Sequence, residues 1–374
     1  MRRPDRKPPA VSPLAERRAR WLLLLGSLLL GLALCEGVLH FLGLPREHLR
    51  HTDPPQFAPM PETDYLYVNL PSREITFVYD SDERGTFRPD LSVTHTTNPK
   101  GFRGPDFSLD KPPAVIRFVF LGDSFTFGEG VRDSDTYPER FRALGNESGA
   151  FPGRMVEAIN LGVGGYDTIQ EAALLRDFGV SLSPDRIVVG YCLNDAGPPV
   201  FVRDKGGLKR VNPRFESGGS VEGSPVPFLI GTLRLTRLGY LAYEVSRRSA
   251  RTLAEYRALY REDNPDWRKT RDALSEIGAL GRDRGVPVTL MIFPVFFRLN
   301  AGYPFGEIHG RVRKEAEAAG MEVLDLYPLF KEFSGPDLWV HSTDQHPNEV
   351  AHRRVARGLW EFLRSPAAGD ARIR

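Results

Sequence analysis

From residue 115 to the C-terminal region, short apolar runs alternate with amphipathic stretches. That alternation narrows the fold more than any other feature of the chain. Val115–Leu121 (VIRFVFL) is a near-continuous apolar run, which marks a strand buried on both faces. Met155–Leu161, Arg186–Leu193, Val286–Phe293 and Met321–Leu326 repeat the pattern. Between and after them, Tyr137–Leu144, Thr168–Phe178, Asp266–Asp283, Phe305–Ala319 and Asn348–Leu363 read as helices, with stops at Gly285 and Gly320. Strands alternating with helices make a parallel sheet covered on both faces. The expected fold class is α/β, a three-layer α/β/α sandwich on a mostly parallel five-stranded sheet. It spans 111–366, with 367–374 as a disordered tail.

Ala196–Asn264 interrupts the alternation. Its first half is rich in Gly, Pro and Ser, and Phe228–Glu262 is an Arg-rich helical stretch. A decorating insertion or cap over 196–264 is one reading. A membrane-surface element is another, because basic residues are interspersed with Leu and Tyr. Residues 45–110, rich in Pro, Asp, Arg and Thr, read as a stalk and an N-terminal extension packed beside the main domain. Tyr65–Leu70 and Glu74–Tyr79 are its strand-like runs, and the Pro and Gly of 98–104 make a turn.

The N-terminus sets the location. No charge occurs from Trp21 to Cys35, and apolar character continues to Leu44 past Glu36 and His40. A helix over 21–44 is long enough to cross a bilayer core. Residues 1–20 carry seven Lys/Arg against Asp5 and Glu16, which predicts a basic cytoplasmic tail and an outward-facing remainder. A cleaved signal peptide lacks its small-residue cleavage site here. A lipoprotein would use Cys35, but Leu34 is bulkier than such sites require. Either of these would also place the domain outside the cytoplasm.

Of 50 basic and 48 acidic residues, the first twenty positions take seven and two, leaving 43 and 46. A folded domain without a basic surplus is not expected to bind nucleic acid. Cys35 and Cys192, the two cysteines, exclude a disulfide scaffold and a Cys-rich zinc module.

Chemistry gathers at the carboxyl ends of parallel strands. After the first comes Leu121-Gly-Asp-Ser-Phe-Thr-Phe-Gly128, where Ser124 would expose its hydroxyl above the sheet; Gly-Asp-Ser also makes an ordinary turn. Glu129 occupies the place of the lysine that a phosphate loop would need. After the second comes Asn160-Leu-Gly-Val-Gly-Gly-Tyr-Asp-Thr168, whose glycines can free backbone N–H groups or simply bend. After the third, Asn194-Asp195 can cap a helix or offer the Asn194 amide to a developing negative charge. Near the end, His341-Ser-Thr-Asp-Gln-His-Pro-Asn348 places Asp344 two residues before His346. Such a pair can serve as orienter and base for a serine nucleophile.

In this order the four segments resemble the blocks of the SGNH hydrolases, also called the GDSL esterase/lipase family, over about residues 115–365. The resemblance implies Ser124 as nucleophile and His346 as general base. It implies an oxyanion hole from the Ser124 and Gly165 N–H groups and the Asn194 amide, with Gly164 as the alternative to Gly165. The commonest family pattern has its aspartate three residues before the histidine, where this chain has Thr343. A two-residue offset, as in Asp344, also occurs in relatives acting on bacterial polysaccharide acetylation. If the Asp344 carboxylate fell short, the carbonyl near Thr343 would make a dyad. Asp123 is expected to turn toward loop backbone, and Asp195 and His352 to be structural.

Asp344, His346 and His352 lack the spacing of a zinc site, and the mechanism needs no cofactor. Three functions follow. The first is an esterase removing acyl groups, acetyl among them, from a carbohydrate or lipid outside the cytoplasm. The second is an O-acyltransferase using the same serine on cell-surface polysaccharide, which would require a multi-span membrane partner to deliver the acyl donor. The third is a non-catalytic binding or scaffold protein, which predicts a broken constellation.

Overall fold

The computed structural model describes residues 13–42, 51–53, 56–79, 81–82, 84–204, 207–210, 239, 252–342 and 344–365. The chain divides into two compact units, 1–47 with 219–249 and 48–218 with 250–374. In the first, α1 (Pro13–Phe41) is a 29-residue helix. Its Glu16–Phe41 stretch is long and apolar enough to cross a membrane. At 1.5 Å per residue that stretch reaches ~39 Å. The helix starts well before Trp21 because Arg17, Arg18, Ala19 and Arg20 are good helix formers. The remainder of the basic tail (1–12), the end of the expected anchor (43–44), the start of the stalk (45–50), most of the Arg-rich stretch and the tail from 366 lie outside the described residues.

The second unit is built on five parallel strands: β6 (Val115–Gly122), β7 (Met155–Asn160), β8 (Arg186–Tyr191), β11 (Val288–Ile292) and β12 (Glu322–Asp325). Their order is β12-β11-β8-β6-β7. Each strand feeds two cores by its period of two. Val119 and Leu121 pack with Ile187, Val189 and Leu290 against α4 (Thr168–Asp177), α5 (Pro265–Arg284) and α6 (Gly306–Ala318). Phe118 and Phe120 pack with Val188 and Met291 against α3 (Tyr137–Glu147) and α7 (Glu349–Arg364). This is the expected three-layer sandwich, its sheet entirely parallel. At about 1.5–3 kcal/mol per fully buried large apolar side chain, these two layers are the main source of stability.

The N-terminal extension is antiparallel. β1 (His51–Asp53), β4 (Glu74–Val78) and β5 (Ser92–Thr96) form one sheet, and β2 (Phe57–Pro59) pairs with β3 (Tyr67–Asn69). The insertion opens with a hairpin of β9 (Phe201–Asp204) and β10 (Gly207–Arg210) that its Gly-rich composition does not announce. Residues 252–259 are helical, and Tyr260 is fully buried against Trp267, with its hydroxyl 2.7 Å from that of Tyr191. The C-terminal end of the insertion is thus part of the core. Close to the last helix, β13 (Trp339–His341) pairs antiparallel with β14 (Asp344–Pro347).

Candidate active site

The turn after β6 is shaped by its glycine. Gly122 has φ +151, and a Cβ there would lie 1.9 Å from Thr126 Oγ1. Asp123 then caps α2 (Ser124–Phe127) by accepting the Phe125 N–H at 2.8 Å, and it accepts the Cys192 thiol at 3.4 Å. Its carboxylate is therefore tied to loop backbone. Burial raises the Asp123 carboxyl above its ordinary range, although the Phe125 amide and the charge of His346 pull the other way. Ser124, first in the short helix, is nearly buried.

β14 explains the two-residue offset. Alternate residues of a strand share a face, so Asp344 and His346 stand side by side without a loop between them. Asp344 Oδ1 contacts His346 Nδ1, and His346 Nε2 lies 2.8 Å from Ser124 Oγ. The other Asp344 oxygen accepts the Tyr79 hydroxyl at 2.9 Å. Tyr79 comes from the end of β4, in the extension, and stacks on Phe87 at 4.5 Å. Glu129 Oε2 is also 3.1 Å from His346 Nε2. Thr343 lies outside the described residues.

Asn194 sits half-buried in a 3-10 turn after β8, whose Asp195 carboxylate accepts the Cys192 N–H at 3.0 Å. Burial, with Glu171 and Asp123 nearby, pushes the Asp195 carboxyl well up. Ser124, Asn194 and His346 line one cavity of about 310 Å³, whose walls include Phe125, Tyr256, Leu259, Phe293 and Phe296. Two of these walls, Tyr256 and Leu259, come from the insertion. Gly164 and Gly165 stand outside this lining, in the turn after β7, where Gly165 has φ +80. That turn is held from the extension, because Tyr67 donates to Gly164 O at 3.1 Å. Gly162 has a packing role: a Cβ there would lie 2.4 Å from Phe127 N.

Asp195 and His352, expected to be structural, are both buried and both accept backbone N–H groups. His352 is fully buried, and its Nδ1 accepts the Tyr137 N–H at 3.1 Å. Among the described residues no three of His, Cys, Asp and Glu converge to hold a metal ion.

Three neighbours escape a reading of motifs. Arg103, 2% exposed, donates to Phe127 O at 2.9 Å, to Val131 O at 2.5 Å and to Gly128 O, holding the exit of the Ser124 turn. Tyr79 and Glu129 are the others. An arginine set between the turn glycines Gly101 and Gly104, and a carboxylate between Gly128 and Gly130, are the local signals that could have found two of them.

A parallel α/β fold with a serine and a histidine in contact beside a cavity at its strand ends has the layout of an α/β serine hydrolase. Residues 120–354 match the GDSL-like lipase/acylhydrolase family, and the chain belongs to it. Among solved structures it is similar to a two-domain esterase active on acetylated mannans, crystallised with mannopentaose (16% identity, TM-score 0.37). That match covers 67% of this chain and 49% of the other, so this chain spans about half the esterase's length. It is also similar to TesA (15%, 0.39, covering 66% and 98%). A third is a catalytic mutant of an acetylxylan esterase from Geobacillus stearothermophilus (15%, 0.40, covering 66% and 92%). No curated protein matches the chain.

Proposed function

We propose that the protein hydrolyses acyl esters, acetyl esters among them, of a carbohydrate or lipid outside the cytoplasm, through Ser124, His346 and Asp344. The observation that carries this reading is the 2.8 Å contact between Ser124 Oγ and His346 Nε2 at the rim of a cavity. In the first half-reaction Ser124 Oγ bonds the acyl carbon as its proton passes to Nε2. Asp344 holds the opposite ring nitrogen, fixing the tautomer that leaves Nε2 free to accept. The backbone N–H groups of Ser124 and Gly165 and the Asn194 amide receive the oxyanion, each donor contributing about 10²–10³ in rate. Collapse expels the alcohol with the proton from Nε2, and water repeats the sequence to free the acid. None of these steps requires a cofactor.

Location rests on α1 and the basic residues before it, which favour an N-terminus inside and a domain outside. The Asp-x-His spacing resembles that of relatives acting on acetylated bacterial polysaccharide, which supports an acetyl ester.

Hydrolysis of p-nitrophenyl acetate by the full-length chain in detergent, beside Ser124→Ala, tests the chemistry. The substitution should lower kcat/KM by roughly 10⁴-fold or more. Equal activity in the two proteins would remove Ser124 as nucleophile. For location, alkaline phosphatase fused after residue 374 should be active and a fluorescent protein fused there dark; the reverse pattern would place the domain inside.

A further inference from the structure

Glu129 is held more tightly than a loop carboxylate needs to be. Gly128 and Gly130 on either side have φ of +83 and +81. A Cβ on Gly128 would meet Thr136 at 2.6 Å, and one on Gly130 would meet Val340 at 2.5 Å. The Glu129 N–H donates to Ser124 O at 3.0 Å, and the next N–H donates to His95 Nε2 at 3.1 Å. The residue is 8% exposed, and one carboxylate oxygen lies 3.1 Å from His346 Nε2. The imidazole is thus flanked by carboxylates, Asp344 at Nδ1 and Glu129 at Nε2.

Those two contacts differ in kind. Nδ1–H faces Asp344 throughout the reaction, so that bond is present before and after proton transfer. Nε2 changes. While it accepts from Ser124 it presents a lone pair, and an ionised oxygen 3.1 Å away is an unfavourable neighbour. Once it holds the serine proton it presents an N–H with positive charge behind it, and the same oxygen becomes a charge-assisted acceptor. A contact that changes sign between ground and transition states accelerates the chemical step, whereas one equal in both does not.

We propose that Glu129 is a catalytic residue whose carboxylate binds the proton that His346 Nε2 takes from Ser124. The inference rests on the reading of Ser124 as nucleophile and His346 as base. As the Ser124 Oγ–carbon bond forms, the carbonyl π pair moves onto oxygen, and the hydroxyl proton moves to Nε2. That N–H then lies between Glu129 Oε2 and the ester oxygen. When the ester C–O bond breaks, its electron pair stays on the departing oxygen, which takes the proton from Nε2. Glu129 ends as it began, ionised.

The test is Glu129→Gln, which keeps size and removes charge, assayed with p-nitrophenyl acetate on the full-length chain. A contact made only in the transition state predicts kcat lower by roughly 10–100-fold with KM within about twofold of wild type. Glu129→Ala should regain part of its activity on adding formate, which replaces the missing carboxylate and would not rescue a misfolded loop. A Glu129→Gln enzyme within twofold of wild type, or faster, overturns the inference. So does a rise in KM at constant kcat, or no response of Glu129→Ala to formate. If Ser124→Ala is inactive in the same assay, such a result sinks the role of Glu129 alone. If Ser124→Ala is fully active, the underlying reading falls first.

Discussion

The parallel-sheet core and the N-terminal extension are built differently and meet at the same loops. The core is sequence-local: strands alternate with helices, and the turns after β6, β7 and β8 carry the candidate residues Ser124, Gly165 and Asn194. The family match, 120–354, covers nearly all of it. The extension lies wholly outside that match and is antiparallel, with short strands whose partners are set by tertiary contact. Yet a side chain of the extension reaches each of three site loops. Tyr79 donates to Asp344, Arg103 to the carbonyls closing the Ser124 turn, and Tyr67 to Gly164 O in the glycine turn. The core brings the candidate groups to the carboxyl ends of its strands, and the extension hydrogen-bonds the loops that carry them. A family segment can therefore supply the reacting residues while a neighbouring segment supplies their preorganisation.

Arg103 is where this division should break most visibly. It is buried, it spans three carbonyls, and it pairs with Asp133 at 2.8 Å. Arg103→Met keeps the apolar stem and leaves buried carbonyls without a donor, at about 1–3 kcal/mol each. The expected loss is about 3–5 kcal/mol, a large share of an ordinary domain's stability. Urea unfolding followed by circular dichroism measures it. A loss below about 1 kcal/mol would mean that the core holds the Ser124 turn unaided.

How far the sequence reaches follows the same line. The five sheet strands are legible because apolar runs such as Val115–Leu121 are dictated by burial on both faces, a local property. Ser124 and Asn194 are legible as candidates because strand ends focus chemistry, and His346 because Asp344 stands two residues before it. The β13–β14 hairpin is not: no apolar run marks 341–347, and cross-strand pairing supplies the extended form in which Asp344 and His346 share a face. Tyr79 has no local signature, since its partner lies 265 residues away. The N-terminal part of the insertion hides a hairpin for the same reason, because pairing supplies what Gly-rich composition lacks.

Acid should separate the two regions. In the core, burial pulls the His352 imidazole down to about 3, with the charges of Arg103 and His346 adding to the effect. Below 6.5 the unfolded chain takes up a proton that the folded chain refuses. The His352 contribution is therefore complete above 6.5 and is lost as pH falls toward 3. At pH 5, 1.5 pH units below the ordinary value, the loss is about 2 kcal/mol. In the extension, burial raises the Asp82 carboxyl, but the amides of Phe87, Thr86 and Arg84 outweigh it and hold the group below 3.8. Its contribution is present above 3.8 and fails only as pH falls past that point. The His352 contribution is therefore lost at a higher pH than that of Asp82, while the core carboxyl of Asp167, raised by burial to about 6, takes up a proton on folding and works the other way. His352→Gln should shrink the drop in unfolding free energy between pH 7 and pH 5 by about 2 kcal/mol, measured by urea titration at both pH values. An equal drop in variant and wild type would show that acid sensitivity lies elsewhere.

The smallest expected effect isolates preorganisation itself. Tyr79→Phe deletes one hydroxyl, leaves the ring stacked on Phe87, and removes one donor from Asp344 Oδ2 while Oδ1 keeps its contact with His346. A hydrogen bond to a charged group contributes about 1.5–3 kcal/mol. On the proposed mechanism the loss should appear in kcat, at roughly tenfold, because there Asp344 orients the imidazole without touching substrate. KM should stay put. Tyr67→Phe, which frees only a neutral carbonyl at Gly164, should cost less, about threefold in kcat. If Tyr79→Phe leaves kcat unchanged, the extension is a support for folding alone, and orientation belongs to the core.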